Sequence, residues 1–168
     1  NSKKENKNVI SNQFVAREIP ALKAEEEYSD SLKIGVSGKN KIDFKKFRTE
    51  DSVYVVIKFY EKKSTKWNLK QTFNFLKDGV SCDPEFKDFN NDQLNDFTFQ
   101  SSIAGRGANT IRKLFLFDKQ KGKLIFIKNS EDFPNLRYNK NLDCIDAFRV
   151  YGGTQTAFAK IEKDSFRE

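Results

Sequence analysis

The placement of phenylalanine constrains this chain more than any other feature. Seventeen Phe stand against no Met and only three Pro, and they gather in short runs with β-branched and aromatic neighbours. In Trp67–Phe75, the residues Trp67, Leu69, Phe73 and Phe75 fall on one side of a period-two alternation, while Lys66, Asn68, Lys70 and Asn74 fall on the other. A helix would scatter that set around its circumference, so the run reads as a strand with one buried face. Lys33–Val36, Val53–Tyr60, Phe97–Ser101, Ile111–Phe117, Leu124–Lys128, Cys144–Tyr151 and Thr156–Ile161 read the same way. Asp118–Lys123 makes a hairpin turn, with Gly122 available for a positive φ. About eight short strands without alternating helices predict a mostly β fold, an antiparallel sandwich or barrel-like domain.

The ends differ from this pattern. Asn1–Asn8 is polar, charged and aperiodic, so residues 1–13 read as a flexible tether and 14–168 as a single all-β domain. After Pro20, Ala21–Tyr28 has good helix formers with acids behind its start, which predicts a short N-terminal helix.

Composition narrows the function. The chain has no His, which removes the usual general base, the usual zinc ligand and every imidazole-dependent triad. No pattern nominates another catalytic group, so the chain reads as a binding protein and not an enzyme. Its net charge of +7 invites a nucleic-acid reading, but Lys45-Lys46, Lys62-Lys63 and Lys119/Lys121/Lys123 form short groups near turns with acids beside them. Lysines at exposed strands and edges block edge-to-edge pairing, and a solvated surface without nucleic acid is the reading adopted.

Asp88, Asn90, Asp92 and Asp96 occupy positions one, three, five and nine of a loop that runs directly into Phe97-Thr98-Phe99. Calcium takes six to eight oxygens in irregular geometry, and alternate oxygen-bearing side chains plus the carbonyl at position seven, here Leu94, match that demand. An EF-hand needs Gly at position six and Glu at position twelve, whereas Gln93 and Phe99 stand there. The loop-then-strand arrangement instead resembles integrin-type FG-GAP repeats, and it predicts one bound Ca2+ held by Asp88, Asn90, Asp92, Leu94 and Asp96.

Cys82 and Cys144 are the only cysteines. In an oxidising compartment an even count predicts a disulfide between them; the alternative is two buried free thiols. Ser101–Thr110 is a small-residue loop with Arg106 at its tip, and its Gly105, Arg106, Gly107 and Asn109 are candidate partner-binding residues. Tyr151–Thr156 is a second glycine loop. Each serves recognition or mere connection equally well.

The order of Cys82-Asp83, the Asp88–Asp96 loop, Phe97-Thr98-Phe99, the glycine loop, Leu114-Phe115-Leu116-Phe117-Asp118 and a terminal strand pair resembles a family of bacterial periplasmic proteins. That family is related to lysozyme inhibitors and includes immunity proteins against secreted peptidoglycan hydrolases. The resemblance covers Ser81–Ser165; the Ser-Gly-x-x-Tyr loop of some lysozyme inhibitors is not reproduced, since Ser37-Gly38 is followed by Lys39-Asn40-Lys41. It implies a periplasmic or cell-surface protein whose partner is another protein, a peptidoglycan hydrolase. The leading segment resembles the stretch after the lipidated cysteine of surface lipoproteins, which makes a lipid anchor upstream of Asn1 the expected membrane contact. A surface module for glycan or protein adhesion is the alternative.

Overall fold

Cross-strand pairing of charge decides the first element. In this computed structural model, which describes residues 23–168, the acidic stretch Glu26–Asp30 is strand β1 and not helix. Glu26 and Glu27 stand opposite Lys46 and Lys45 of β2, Asn40–Arg48. Lys46 is only 4% exposed, and its ammonium lies 3.3 Å from Glu25 and 2.7 Å from Glu26. A buried ammonium left unpaired is strongly destabilising, whereas helix preference is worth a few tenths of a kcal/mol per residue. Pairing therefore overrides propensity. The tether expected over 1–13, and Ala21 and Leu22 at the start of the expected helix, lie outside the described residues.

Ten further strands complete the domain: β3 (Val53–Lys63), β4 (Lys66–Lys77), β5 (Glu85–Lys87), β6 (Asp96–Ala104), β7 (Asn109–Asp118), β8 (Lys123–Ile127), β9 (Arg137–Asn139), β10 (Cys144–Val150), β11 (Thr154–Glu162) and β12 (Ser165–Arg167). They form three four-stranded sheets, ordered β1-β2-β3-β4, β5-β6-β7-β8 and β12-β11-β10-β9, with every pairing antiparallel. The mostly β, antiparallel fold agrees with the sequence, but the count of eight strands does not. Lys33–Val36 is a bent segment with a single bridge from Gly35 to Asn95.

The middle sheet is covered on both faces. Phe97, Phe99, Phe115 and Phe117 meet Ile42, Phe44, Val55, Ile57 and Phe59 of the first sheet. Leu114, Leu116 and Ile127 point the other way, against Ile145, Ala147, Ala157 and Ala159 of the third. Two-sided burial explains the unbroken apolar run Leu114–Phe117, since successive side chains alternate faces and both faces are dry. Phe115 is wholly buried, with ring centroids 5.1 Å from both Phe73 and Phe126.

A β-bulge between Phe59 and Tyr60 corrects the expected single face of β4. Phe73 lies opposite buried Ile57, but past the bulge Leu69 lies opposite half-exposed Tyr60 and Trp67 opposite Lys62. One extra residue flips the parity of everything beyond it. Phe73 and Phe75 therefore enter the core, while Trp67 and Leu69 turn outward. At the switch, the Gln71 side chain donates to the Leu124 carbonyl at 2.9 Å and accepts from the Leu124 amide at 2.6 Å, which ties β4 to β8.

Burial at Phe115 and exposure at Leu69 lead to opposite expectations in urea unfolding. Phe115→Ala should lose about 3–5 kcal/mol of stability, whereas Leu69→Ala should change it by no more than about 0.5 kcal/mol.

Candidate functional site

The acidic loop joins β5 to β6 and folds around its own amides. Asp88 Oδ1 accepts from the amides of Asn90 and Asp92 at 3.1 and 3.3 Å, and Oδ2 accepts from the Gln93 amide at 2.8 Å. Asp92 Oδ1 accepts from the Leu94 amide at 2.9 Å, and the Asn90 side-chain amide donates to Asp92 Oδ2 at 3.2 Å. Gln93, at the position where an EF-hand carries Gly, has φ 68°. The sharp left-handed turn is thus made without glycine, at a strain of about 1–2 kcal/mol that the Asp88 bonds offset. The loop is clasped to the chain before β2: the Gly35 amide donates to the Asn95 carbonyl at 3.0 Å, and the Asn95 side chain to the Lys33 carbonyl at 3.0 Å. Gly35 is required there, because it has φ 54° and a Cβ would fall 2.8 Å from Asn40 Oδ1 and 3.0 Å from the Phe117 ring.

Asp96 faces the sheet. It is wholly buried and accepts from the Phe89 and Phe117 amides, each at 2.8 Å. Burial pushes its carboxyl up to about 8 against those two hydrogen bonds, and the negative charges of Asp92 and Asp88 push the same way. None of the three aspartates has a cationic partner within ion-pair distance among the described residues. Among those residues no three Asp, Glu or Cys side chains group closely enough to hold a metal ion as they stand. The donor set is all oxygen and has no cationic partner, which suits a hard cation. The arrangement is not a finished cage, since the carboxylates of Asp88 and Asp92 are turned onto loop amides.

The disulfide expectation is corrected. Both thiols are free and buried. Cys82 packs in the cluster between the first and middle sheets, whereas Cys144 begins β10 in the third sheet. A bridge needs Cα atoms within about 7 Å, and these residues belong to different layers. Burial pushes the Cys82 thiol up to about 12, which leaves it without nucleophilic thiolate near neutrality. Cys144 borders a shallow cleft of about 280 Å³ with Phe89, Asn90, Tyr138, Asp143 and Lys160.

The two glycine loops meet. Gly105–Gly107 forms a single 3-10 turn between β6 and β7, and Asn109 behind it is wholly buried. The Asn109 side chain donates to the Val150 carbonyl at 2.8 Å and accepts from the Val150 amide at 3.0 Å, as a strand neighbour would. Asn135 adds a second clasp, donating to the carbonyls of Ala108 and Phe148 at 2.9 and 2.8 Å and accepting from the Thr110 amide at 3.0 Å. Asn109, expected at an exposed tip, is therefore a buried structural pin between the two loops. Gly105 is also structural: at φ 58°, its Cβ would fall 2.7 Å from the Val150 carbonyl. Arg106, with φ 54°, and Gly107 remain exposed. Phe148 and Tyr151, which flank the clasped Val150, are also exposed. Asn135 carries no distinguishing sequence signal, because Asn after Pro reads simply as a turn.

No family model matches this chain, and neither the curated proteins nor the solved structures contain a match.

The buried carboxyl gives a pH dependence with a definite sign. Between about pH 4 and about pH 8 the folded state keeps the Asp96 proton that the unfolded state has lost, so stability falls as pH rises through that window. Thermal melts in chelator should show this descent, and Asp96→Asn should flatten it.

Proposed function

We propose that this chain is an exported, calcium-holding β protein that acts by binding, and that its partner is a cell-wall lytic enzyme which it inhibits or to which it confers immunity. The observation that carries the reading is the Asn109–Val150 clasp, which joins two glycine-rich loops into one exposed surface bearing Arg106 and Tyr151. Arg and Tyr dominate the energetics of protein interfaces. A loop already held by hydrogen bonds loses less conformational freedom on docking. Lytic glycosidases usually carry paired carboxylates in the cleft, and a guanidinium fork meets a carboxylate through two parallel hydrogen bonds. The order of sequence motifs over Ser81–Ser165 points to the same class of partner.

Calcium belongs to this reading as a stabiliser of the scaffold. Asp88, Asn90, Asp92, Asp96 and the Leu94 carbonyl would hold it, and the bound ion would supply the positive charge that the three aspartates lack. Asp88 and Asp92 would turn from the loop amides toward the ion, and Asp96 would lose its proton. The ion's role is to order the loop between β5 and β6.

Two measurements test the two halves. Calcium at ten times its dissociation constant should add about 1.4 kcal/mol of stability to the wild type and none to Asp92→Ala. Equal melting in calcium and in chelator would remove calcium from the reading.

Peptidoglycan lysis by a panel of lytic enzymes should slow when the protein is added at micromolar concentration, and Arg106→Ala should lose at least tenfold in potency, about 1.4 kcal/mol. If no enzyme in the panel slows, or if Arg106→Ala inhibits as well as wild type, the inhibitor reading fails and adhesion takes its place.

A further inference from the structure

Lysine groups that are far apart in the sequence come together at one end of the molecule. Lys62, Lys63 and Lys66 surround the turn between β3 and β4, while Lys119, Lys121 and Lys123 surround the turn between β7 and β8. The Gln71–Leu124 bonds hold β4 beside β8, and a Cβ on Gly122 would lie 3.6 Å from Glu61 Oε1. The two turns are therefore neighbours. Two acids accompany these six lysines, and both are engaged: Glu61 by Lys70 at 3.2 Å and Asp118 by Lys121 at 2.8 Å. The other five lysines have no acidic partner within ion-pair distance among the described residues.

Shape and residue type select the partner. The surface is built from two turn tips, and both described clefts lie elsewhere, one lined by Arg48–Val53 with Leu76 and Lys77, the other beside the acidic loop. Neither of those clefts gives a chain-like polyanion a groove to follow at these tips. Base stacking needs open ring faces, but Lys62 lies over the Trp67 ring at 5.4 Å and Lys41 over Tyr60 at 5.2 Å. Protein interfaces are depleted in Lys. A planar anionic surface can touch both tips together, while lysine stems lie along apolar material and their ammonium groups stay at the headgroups. Half-buried Trp67 and 53% exposed Leu69, both on the outer face of β4, suit the membrane–water boundary.

We propose that these two turns form a peripheral docking surface for a bilayer rich in anionic phospholipid headgroups, with the six lysines at the headgroups and Trp67 and Leu69 at the interface. This contact goes beyond the inhibitor reading and does not depend on a lipid anchor or on calcium. It replaces the reading of these lysines as a merely solvated surface.

Trp67 is the only tryptophan, so its fluorescence reports on this face alone. The full chain, in chelator at low ionic strength, is sedimented with phosphatidylserine–phosphatidylcholine vesicles and with pure phosphatidylcholine vesicles. Binding is expected only to the first, with a blue shift of Trp67 and weakening as salt rises. Each lysine near such a surface is worth roughly a fivefold change in partitioning, so K63E/K66E/K121E should lose more than a hundredfold. K23E/K45E/K128E, which has the same net charge but spares both turns, should retain most of the binding; circular dichroism checks that both variants fold. The proposal is overturned if wild type does not sediment, if the control variant loses as much as the turn variant, if Trp67 emission is unchanged on bound vesicles, or if a single-stranded oligonucleotide binds more tightly than the vesicles. Because calcium is absent throughout and no lytic enzyme is present, failure here leaves the calcium and inhibitor tests unaffected.

Discussion

Burial of β6 and β7 on both faces is the constraint on which the rest of this structure depends. A strand with one dry face alternates apolar and polar residues, but Leu114–Phe117 has no polar member, so it needs two partners in opposite directions. The first and third sheets are those partners. Thr98 in the same sheet is wholly buried and avoids an unpaired hydroxyl by donating to the Lys113 carbonyl at 2.9 Å. Both loops of functional interest hang from this sheet, so their geometry inherits its rigidity.

The fold class was legible because strand periodicity is a local property. The Phe-rich runs declared themselves, and antiparallel pairing came with the short connections. The number of layers was less visible: an apolar run such as Leu114–Phe117 can be read as a strand without revealing that it needs covering twice. Asn40–Arg48 escapes the periodicity because adjacent Lys45-Lys46 breaks the alternation; Lys46 is buried only because Glu26 of β1 and Glu25 just before it arrive to pair with it. The parity change in β4 depends on a bulge opposite Phe59 and Tyr60, and no local spacing announces it.

The candidate sites show the same division. Oxygen spacing singled out the acidic loop, but it did not reveal that Asp88 and Asp92 accept from the loop's own amides or that Asp96 points inward to the Phe89 and Phe117 amides. Asn109 looked like part of an exposed tip because its neighbours are small and polar, yet its side chain completes a backbone ladder with Val150. The cysteine pairing failed for a related reason: an even count says nothing about which layer each residue occupies.

Strand β7 has the glycine-rich turn at its first residue and the lysine-rich turn at its last. Ten residues at about 3.3 Å each make a strut of roughly 30 Å. Because β6 pairs with Asn109–Phe115, β8 pairs with Leu114–Asp118 and apolar layers press on both faces, it resists bending. A body bound at one turn would be kept at a fixed standoff from whatever met the other, so the fold would set reach and orientation in advance. Lengthening or shortening β7 by two residues, which preserves side-chain parity, would change that standoff in steps of roughly 7 Å.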